Sequence, residues 1–483
     1  MAVRQVNHLS IFICLALIAV CQDMVGQEVA AQQVRSQRIA ASPPRDATTN
    51  QMWLLPPVED NSSAIASTAT LHAPETLAQA WARAMEVGQE LKASRWDASS
   101  ARQSLCSARA DRWPTVAVEG GYVARSASPA FRFDIGGFPL PSNEFHYRQA
   151  ESAEFRGLID LPLYTSGRIQ HDIDAAQAES CSTSLGVENT GNTLLMRVVE
   201  QYVAVLRSQY DVEVTASTVR SLESHARDVE KLFTQHQVPK NDLLAARVSL
   251  SNARQEAIRA STALESSRAG YNRRLGRPHM AEVRLAPLPL EHVEGDVESL
   301  TARALRMRPE VTQYAMRIQS LRHRAAALSA KNKLQVNLNG RYDFEENRYQ
   351  SPQGVATVGV LMKWNAYDGG KRNYQATAIL HRAESLAWAK RDLESHIALA
   401  VRQACLDIRQ THQRLLVTAE TITQAEENLR VSRKRYAAGT CNNTEVLDAE
   451  ALRTQAYRNH HDAKYDAILA GFRLRNATGD LRH

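Results

Sequence analysis

The sequence contains the same pattern twice, and this duplication limits the folds open to the chain more than any other feature. Four landmarks recur farther along: Glu90 as Glu310, Tyr122 as Tyr342, Gly167 as Gly369, and Asn241–Ala253 as Thr444–Ala456. The first two pairs are 220 residues apart, the third 202 and the fourth 203. A spacing that holds over several landmarks indicates a repeated structural unit. The drop from 220 to 202 places a longer loop in the first copy, roughly over Ser126–Ser152.

Each copy is predicted to contain a helix, two strands, a long helix, a tight break and a returning helix. The long helices are expected from about Gly167 to His236 and from Gly369 to Ala438, on the order of 100 Å each at 1.5 Å per residue. Uninterrupted helices of this length favour coiled-coil packing. Both carry apolar residues at steps of four, three and four: Leu195, Val199, Tyr202 and Leu206, then Ile397, Val401, Ala404 and Ile408. Such a seam requires a partner helix, which the returning helix supplies.

The strand-like segments decide the structural class. From Leu334 to Phe344 apolar and polar residues alternate, with Gly340 on the apolar side. A transmembrane β-strand of 9–11 residues alternates in this way between lipid and lumen. Thr115–Arg125 shows the same pattern more weakly. A strand of a soluble sandwich also alternates, and it is the alternative for either segment taken alone.

Four strands are too few to close a barrel, and open sheet edges are not tolerated in lipid. Two copies of the chain would give eight strands, whose interior side chains fill. Three copies give twelve and leave a lumen. The strand count therefore predicts a trimer that shares one β-barrel, in a chain that is otherwise mainly α-helical.

The N-terminus carries a predicted signal peptide over residues 1–26. Arg4 and His8 precede the apolar run Leu9–Val20, which has the length of a signal-peptide core. The run is too short to cross a bilayer as a helix, and no other run approaches the ~20 residues required. Cys21 follows it directly, so lipidation at Cys21 stays open beside ordinary cleavage.

The rest of the chain divides by composition and repeat. Residues 27–76, rich in Ala, Gln, Ser, Thr and Pro, are predicted to form a disordered tether. The first repeat is assigned to residues 77–276, an inter-repeat linker to 277–296, and the second repeat to 297–479. Residues 480–483 form a tail.

Composition and charge argue against several functions. The net charge of +6 is modest, and basic residues are interspersed with acidic ones rather than clustered as a nucleic-acid surface requires. The six cysteines show no metal-ligand spacing; a disulfide and isolated small residues on helices both stay open. His460-His461 and the scattered carboxylates offer no catalytic or metal-binding pattern. We expect no enzyme, no cofactor, no metal and no nucleic-acid partner.

The duplication, the motif Tyr367-Asp368-Gly369-Gly370 and two hairpin breaks, Val238–Leu244 and Arg435–Thr440, resemble the TolC family of outer-membrane efflux proteins. The resemblance covers roughly Leu77–Gly479. It implies a trimer with a twelve-stranded barrel in the outer membrane and a long α-helical barrel in the periplasm. It further implies a passive conduit of a tripartite efflux or type I secretion system. A periplasmic adaptor and an inner-membrane pump would open its periplasmic tip.

The resemblance also assigns residues at that tip. Glu445 and Asp448 match acidic residues that face the pore at its constriction, where a threefold axis would make them rings of carboxylates. Without the resemblance, acids at these positions are explained by the helix N-terminus, and Asn442 with Glu445 reads as a helix cap. Both roles are compatible.

Tyr436 and Asp242 match residues that latch the closed tip. This chain departs from the family in two places, since Cys441 stands where a latch arginine is found and His236 where glycine is common. The ion-pair part of the latch is therefore in question, and Cys441 is either a reactive thiol or a small tip residue. Adaptor docking is expected at the exposed turns: Gln237, Val238, Pro239, Lys240, Gly439, Thr440 and Cys441.

A second class of function is a periplasmic coiled-coil adaptor or structural protein, which also has long helical hairpins. Such proteins lack alternating strands with lipid-facing aromatic residues. They are extractable from membranes by salt without detergent, which distinguishes the two classes.

Overall fold

The computed structural model describes residues 74–132, 144–290 and 295–481. The predicted signal peptide with Cys21 and nearly all of the predicted tether lie outside the described residues. The described elements are, in chain order, α1 (Leu77–Val87), α2 (Gln89–Ala110), β1 (Thr115–Ala124), β2 (Ala130–Arg132), β3 (Glu144–His146), β4 (Glu151–Tyr164), α3 (Arg168–Thr234), α4 (Lys240–Arg274), α5 (Val297–Met307), α6 (Pro309–Ala330), β5 (Gln335–Glu345), β6 (Gly354–Lys363), α7 (Lys371–Ala437) and α8 (Asn443–Thr478). They belong to two compact units, one that holds most of the strand residues and one that holds the helices with the remaining residues of β4, β5 and β6.

The element order confirms the predicted duplication, because α1, α2, β1, β4, α3 and α4 recur as α5, α6, β5, β6, α7 and α8. The predicted first helix of each copy is divided in two, at Gly88 and at Arg308. In the second copy Pro309 lacks a backbone N–H and disfavours a helical conformation at the residue before it, so Arg308 is extended.

The segment Ser126–Ser152, predicted as a loop, contains more structure than expected. Its described part includes the antiparallel ribbon of β2 and β3, in which Phe131 lies opposite Phe145. Residues 133–143 of this segment lie outside the described residues.

The four long strands form one sheet in the order β1-β4-β5-β6. β1 pairs antiparallel with β4, from Thr115 opposite Asp160 to Ala124 opposite Glu151. The predicted strand Leu334–Phe344 is confirmed as β5, one of the two central strands.

The two faces of the sheet differ as the alternation predicts. On one face the Arg156 guanidinium lies 3.7 Å from the Glu119 carboxylate and 2.7 Å from that of Asp343. On the other face of β1, Val116 and Tyr122 are 67% and 66% exposed. An exposed apolar face opposite a charged one is the pattern of a sheet between lipid and water.

The helical unit is built on α3 and α7, each an unbroken helix of 67 residues. Both follow a glycine in the left-handed region, Gly167 (φ 84°) and Gly370 (φ 80°), which carries the chain from strand to helix. Most of the predicted seam residues are buried: Leu195, Val199, Tyr202 and Leu206 in one core, and Ile397, Val401 and Ala404 in another. No helix among the described residues combines the length and apolar character needed to cross a membrane.

The end of the predicted tether, residues 74–76, is part of the helical unit. Arg277 donates two hydrogen bonds to the carboxylate of Glu75, at 2.6 and 2.8 Å. Thr76 then caps α1, forming a reciprocal capping box with Gln79. Residues 74–76, assigned to the tether from the sequence, therefore belong to the first repeat.

The described part of the predicted linker, residues 277–290, packs against the same core. Val283 and Leu285 are buried, and the Tyr202 hydroxyl lies 2.7 Å from the carbonyl oxygen of Ala286. This segment has no helical period, so its apolar residues were not predicted to complete the buried face of α3.

Candidate functional site

The two helical hairpins turn in the same way at their tips. After α7 the N–H of Thr440 donates to the carbonyl of Arg435 (2.9 Å), and the N–H of Gly439 donates to that of Tyr436 (3.0 Å). α3 ends with the same two bonds, both 2.9 Å, around His236. This arrangement is a Schellman motif, which places one residue in the left-handed conformation.

That left-handed residue differs between the two tips. Gly439 (φ 72°) takes it in the second hairpin, and His236 (φ 59°) takes it in the first. A left-handed conformation costs an L-residue about 1–2 kcal/mol, a cost that glycine does not incur. The first tip is thus strained where the second is not.

The returning helices also begin differently. The Asn442 side chain accepts a hydrogen bond from the Glu445 N–H (2.9 Å), which confirms the predicted cap of α8. The Glu445 carboxylate forms an ion pair with Arg435 rather than completing a capping box. α4 follows Pro239 without a side-chain cap.

The two tips share one apolar cluster. All four long helices of the hairpins contribute buried side chains to it: Ala226, Val229, Leu243, Ala246, Leu429, Tyr436, Val446 and Ala449. The two hairpins therefore meet at their tips rather than ending independently.

A chain of polar contacts crosses this cluster. The His225 Nε2 lies 2.7 Å from Oδ1 of Asn443, whose Nδ2 donates to the backbone carbonyl of Asp242 (3.1 Å). Because Oδ1 is an acceptor, Nε2 of His225 carries the proton. The Tyr436 hydroxyl donates to Oδ2 of Asp242 at 3.5 Å, the long limit of a hydrogen bond. The structure thus brings together the predicted pair Tyr436 and Asp242 and adds two residues that the sequence did not indicate.

Burial sets the protonation of this chain of contacts. It raises the pKa of Tyr436 to about 12, with the Asp242 carboxylate acting in the same direction. Burial lowers the pKa of His225, and the hydrogen bond to Asn443 opposes the shift. At neutral pH the phenol is therefore a donor and the imidazole is neutral.

Cys441 lies beside the cluster with its thiol 3.5 Å from the Ser432 carbonyl oxygen. Burial raises the pKa of this thiol, and the neighbouring Glu445 carboxylate acts in the same direction. The thiol is therefore protonated at neutral pH, which favours the small-residue role over a reactive one.

The predicted constriction residues lie on the first turns of α8. Asp448 is exposed, and the Glu445 side chain is 38% exposed beside Arg435. Most of the predicted docking residues are exposed: Gln237, Pro239, Lys240, Gly439 and Thr440. Val238 and Cys441 are half-buried against the tip cluster.

Sequence reasoning missed a buried carboxylate above the tips. Glu450 is 2% exposed and accepts hydrogen bonds from Ser221 (2.5 Å), Arg453 (2.8 Å) and Arg433 (3.2 Å). These partners come from α3, α7 and α8, so Glu450 joins the two hairpins.

Comparing the repeats would have found this residue. At the offset of 203, Arg433 and Glu450 correspond to Glu230 and Arg247, with the charges exchanged. Both pairs are formed in the structure, at 3.2 Å and 2.8 Å. The same ion pair, with acid and base exchanged between the repeats, therefore indicates these two positions from the sequence.

A family model for outer membrane efflux proteins matches residues 81–277 and 300–480, which is most of both repeats. The chain belongs to the outer membrane efflux protein family. The resemblance to the TolC family, inferred from the duplicated motifs, is confirmed.

Two curated relatives are each 24% identical to this chain. Outer membrane protein TolC of Vibrio cholerae matches over 339 residues, 64% of this chain and 73% of the relative. The alkaline protease secretion protein AprF of Pseudomonas aeruginosa matches over 302 residues, 60% of this chain and 62% of the relative. The chain thus aligns with less than two thirds of AprF.

Solved structures share the fold of this family member at low identity. CusC superposes with a TM-score of 0.73 at 14% identity, over 86% of this chain and 95% of CusC. VceC of Vibrio cholerae gives 0.71 at 13%, over 83% and 96%. The outer-membrane channel OprN gives 0.70 at 18%, over 84% and 90%.

Family and fold together give the function at a coarse level. The chain is an outer-membrane channel for export by efflux or secretion. The alternative of a periplasmic coiled-coil adaptor is wrong, because the family match covers both repeats and the charged and apolar faces of the sheet are those of a membrane strand set.

Proposed function

We propose that three copies of this chain form a passive export conduit with one shared twelve-stranded barrel, closed at its periplasmic end by the hairpin tips. The strand unit supports the trimer. Its sheet ends in β1 and β6, which carry exposed apolar residues such as Val118 and Val358. Backbone groups at such edges require partners in lipid, and strands of neighbouring copies would supply them.

The proposed gate is the contact between the two tips. At the start of α4, Asp242 accepts hydrogen bonds from Tyr436 of α7 and from Asn443 of α8. His225 of α3 in turn contacts Asn443. Opening the channel would separate the hairpins and break these contacts. The single observation that carries the proposal is that one polar chain spans both tips.

The proposed constriction is formed by Glu445 and Asp448. In a trimer each would become a ring of three carboxylates, which attract cations at a narrow point. Arg435 partly neutralises Glu445 through its ion pair. Asp448 would therefore contribute more than Glu445 to cation preference.

The proposed partners are a periplasmic adaptor, which would dock on the exposed turns at the tips, and an inner-membrane pump. The name of AprF refers to the secretion of a protease, and the family description refers to efflux. Both cargo classes fit a conduit whose pump selects the substrate.

The test is ion selectivity in planar bilayers. Reversal potentials under a KCl gradient are measured for Asp448→Ala, Glu445→Ala and the double variant. We expect cation preference to fall most in the double variant and more for Asp448→Ala than for Glu445→Ala. Glu256→Ala is the control, since Glu256 forms an exposed pair with Arg259 on α4. A double variant with wild-type selectivity would remove both acids from the constriction.

A further inference from the structure

Two histidines and an aspartate lie together far from the hairpin tips, between the start of α3 and the middle of α6. Each of His171, Asp174 and His323 offers a ligand atom, and these atoms lie within 4.8 Å of one another. The imidazole ring centres of the two histidines are 6.0 Å apart. His171 and Asp174 are three residues apart, which places them on one face of α3.

We propose that these three residues bind a divalent transition-metal ion of the Zn²⁺ class and so link α3 to α6. Two imidazoles and a carboxylate are a common donor set for zinc, with water in the fourth position. Imidazole donors disfavour Mg²⁺ and Ca²⁺, which prefer all-oxygen ligands. All three side chains are half-buried, so they are neither fully solvated nor closed to an entering ion.

The carboxylate is held in place by a second layer of contacts. The Gln170 amide donates to Oδ1 of Asp174 (2.7 Å), and the Gln170 carbonyl oxygen accepts a hydrogen bond from Arg112. Hydrogen bonds of this kind orient the ligands of metal sites and are part of their design. They fix Asp174 and involve neither imidazole; the Nε2 of His323 lies 3.5 Å from the Gln319 amide nitrogen, at the long limit of a hydrogen bond.

One imidazole nitrogen also requires a partner. Nδ1 of His171 is buried and has no hydrogen-bond partner among the described residues. A buried polar atom without a partner costs free energy, and a metal ion bound at this nitrogen would remove that cost. This observation separates the cluster from an ordinary group of surface histidines.

The distances require only a small adjustment on binding. Ligand atoms of a tetrahedral zinc lie about 3.4 Å apart, given bonds of about 2.0–2.2 Å. Atoms within 4.8 Å of one another reach that spacing through movements of roughly 1 Å, which side-chain rotation supplies. A metal site was not predicted from the sequence because His323 lies on a distant helix, and the local pattern contains only His171 with Asp174.

The experiment uses the full chain in detergent, without a histidine tag, after EDTA treatment and dialysis at pH 7.5. ZnCl₂ is titrated calorimetrically into the wild type, Asp174→Asn and His323→Gln. His381→Gln, which removes an exposed histidine of α7, is the matched control. We expect one Zn²⁺ per chain, competed by Ni²⁺ and unaffected by excess Mg²⁺. Affinity should fall at least about tenfold in both site variants and stay unchanged in the control.

Zn²⁺ binding to the wild-type protein tests the proposal even if a site variant misfolds. Absence of saturable Zn²⁺ binding to the wild type would overturn the proposal. So would wild-type affinity in a folded Asp174→Asn or His323→Gln variant. Circular dichroism of each variant establishes its helical content before titration.

Discussion

Removing the charge of Glu450 should loosen the contact between the two hairpins. The Glu450 carboxylate is buried, and its partners Arg433 and Arg453 have side chains that are 40% and 17% exposed. Breaking a fully buried ion pair from one side costs about 3–5 kcal/mol. Because both arginines keep some access to water, we expect a lower cost of about 2–3 kcal/mol for Glu450→Gln.

This loss of stability is measured most directly by hydrogen–deuterium exchange in the detergent-solubilised protein. A change of about 2–3 kcal/mol in local opening corresponds to about 30- to 150-fold faster amide exchange. The effect should be confined to the parts of α3, α7 and α8 that contact Glu450. The glutamine keeps an acceptor for Ser221, so the variant tests the charge rather than the shape.

Glu427→Gln is the matched control on α7. Glu427 pairs with Arg430, and both side chains are more than half exposed, so we expect amide exchange close to that of the wild type. If Glu450→Gln exchanged within about threefold of the wild type, the stabilising role assigned to this buried charge would be wrong.

Two further predictions concern the tips. In the closed tip, the pKa of His225 lies below its ordinary value of about 6.5. His225 therefore binds a proton at lower pH in the closed tip than in a separated one. The stability of the closed tip should be complete above pH about 6.5 and fall as the pH drops from there toward the lowered pKa. Asp228, Glu450, Arg433 and Tyr436 contribute to the environment of His225; single-channel recordings from pH 7.5 to 5.5 should show more frequent opening at low pH, and a His225→Gln channel that kept the full pH response would assign it to another group. His236→Gly should stabilise the first tip by about 1 kcal/mol, because it removes left-handed strain, whereas Gly439→Ala should destabilise the second by a similar amount. Hydrogen–deuterium exchange of the tip amides measures both changes in stability. Equal protection of these amides in His236→Gly and in the wild type would show that His236 is not strained.

Much of the fold follows from the sequence because its signals are periodic. The seam of Leu195, Val199 and Tyr202 predicted a buried helix face, and the alternation in Leu334–Phe344 predicted a strand with two different faces; both are observed. Gly439 follows the second long helix in the left-handed conformation, which few residues other than glycine adopt without strain.

The remaining features depend on contacts between distant segments. Glu75 and Arg277 meet across 202 positions of sequence, so neither the tether nor the linker pattern predicted their ion pair. His225 and Asn443 form a buried pair across 218 positions for the same reason. Local periodicity gives helices and strands, but the partner of a buried polar group is set by how the helices pack.

The measurement that tests the gate most directly is the single-channel conductance of a Tyr436→Phe, Asp242→Asn double variant in planar bilayers. The variant removes the phenol donor and the carboxylate charge at the contact between the tips. A lost hydrogen bond of about 1 kcal/mol shifts the closed–open balance about fivefold toward open in each copy. We predict more frequent opening or a larger mean conductance than in wild type. Recordings that match wild type would show that this contact does not hold the channel closed.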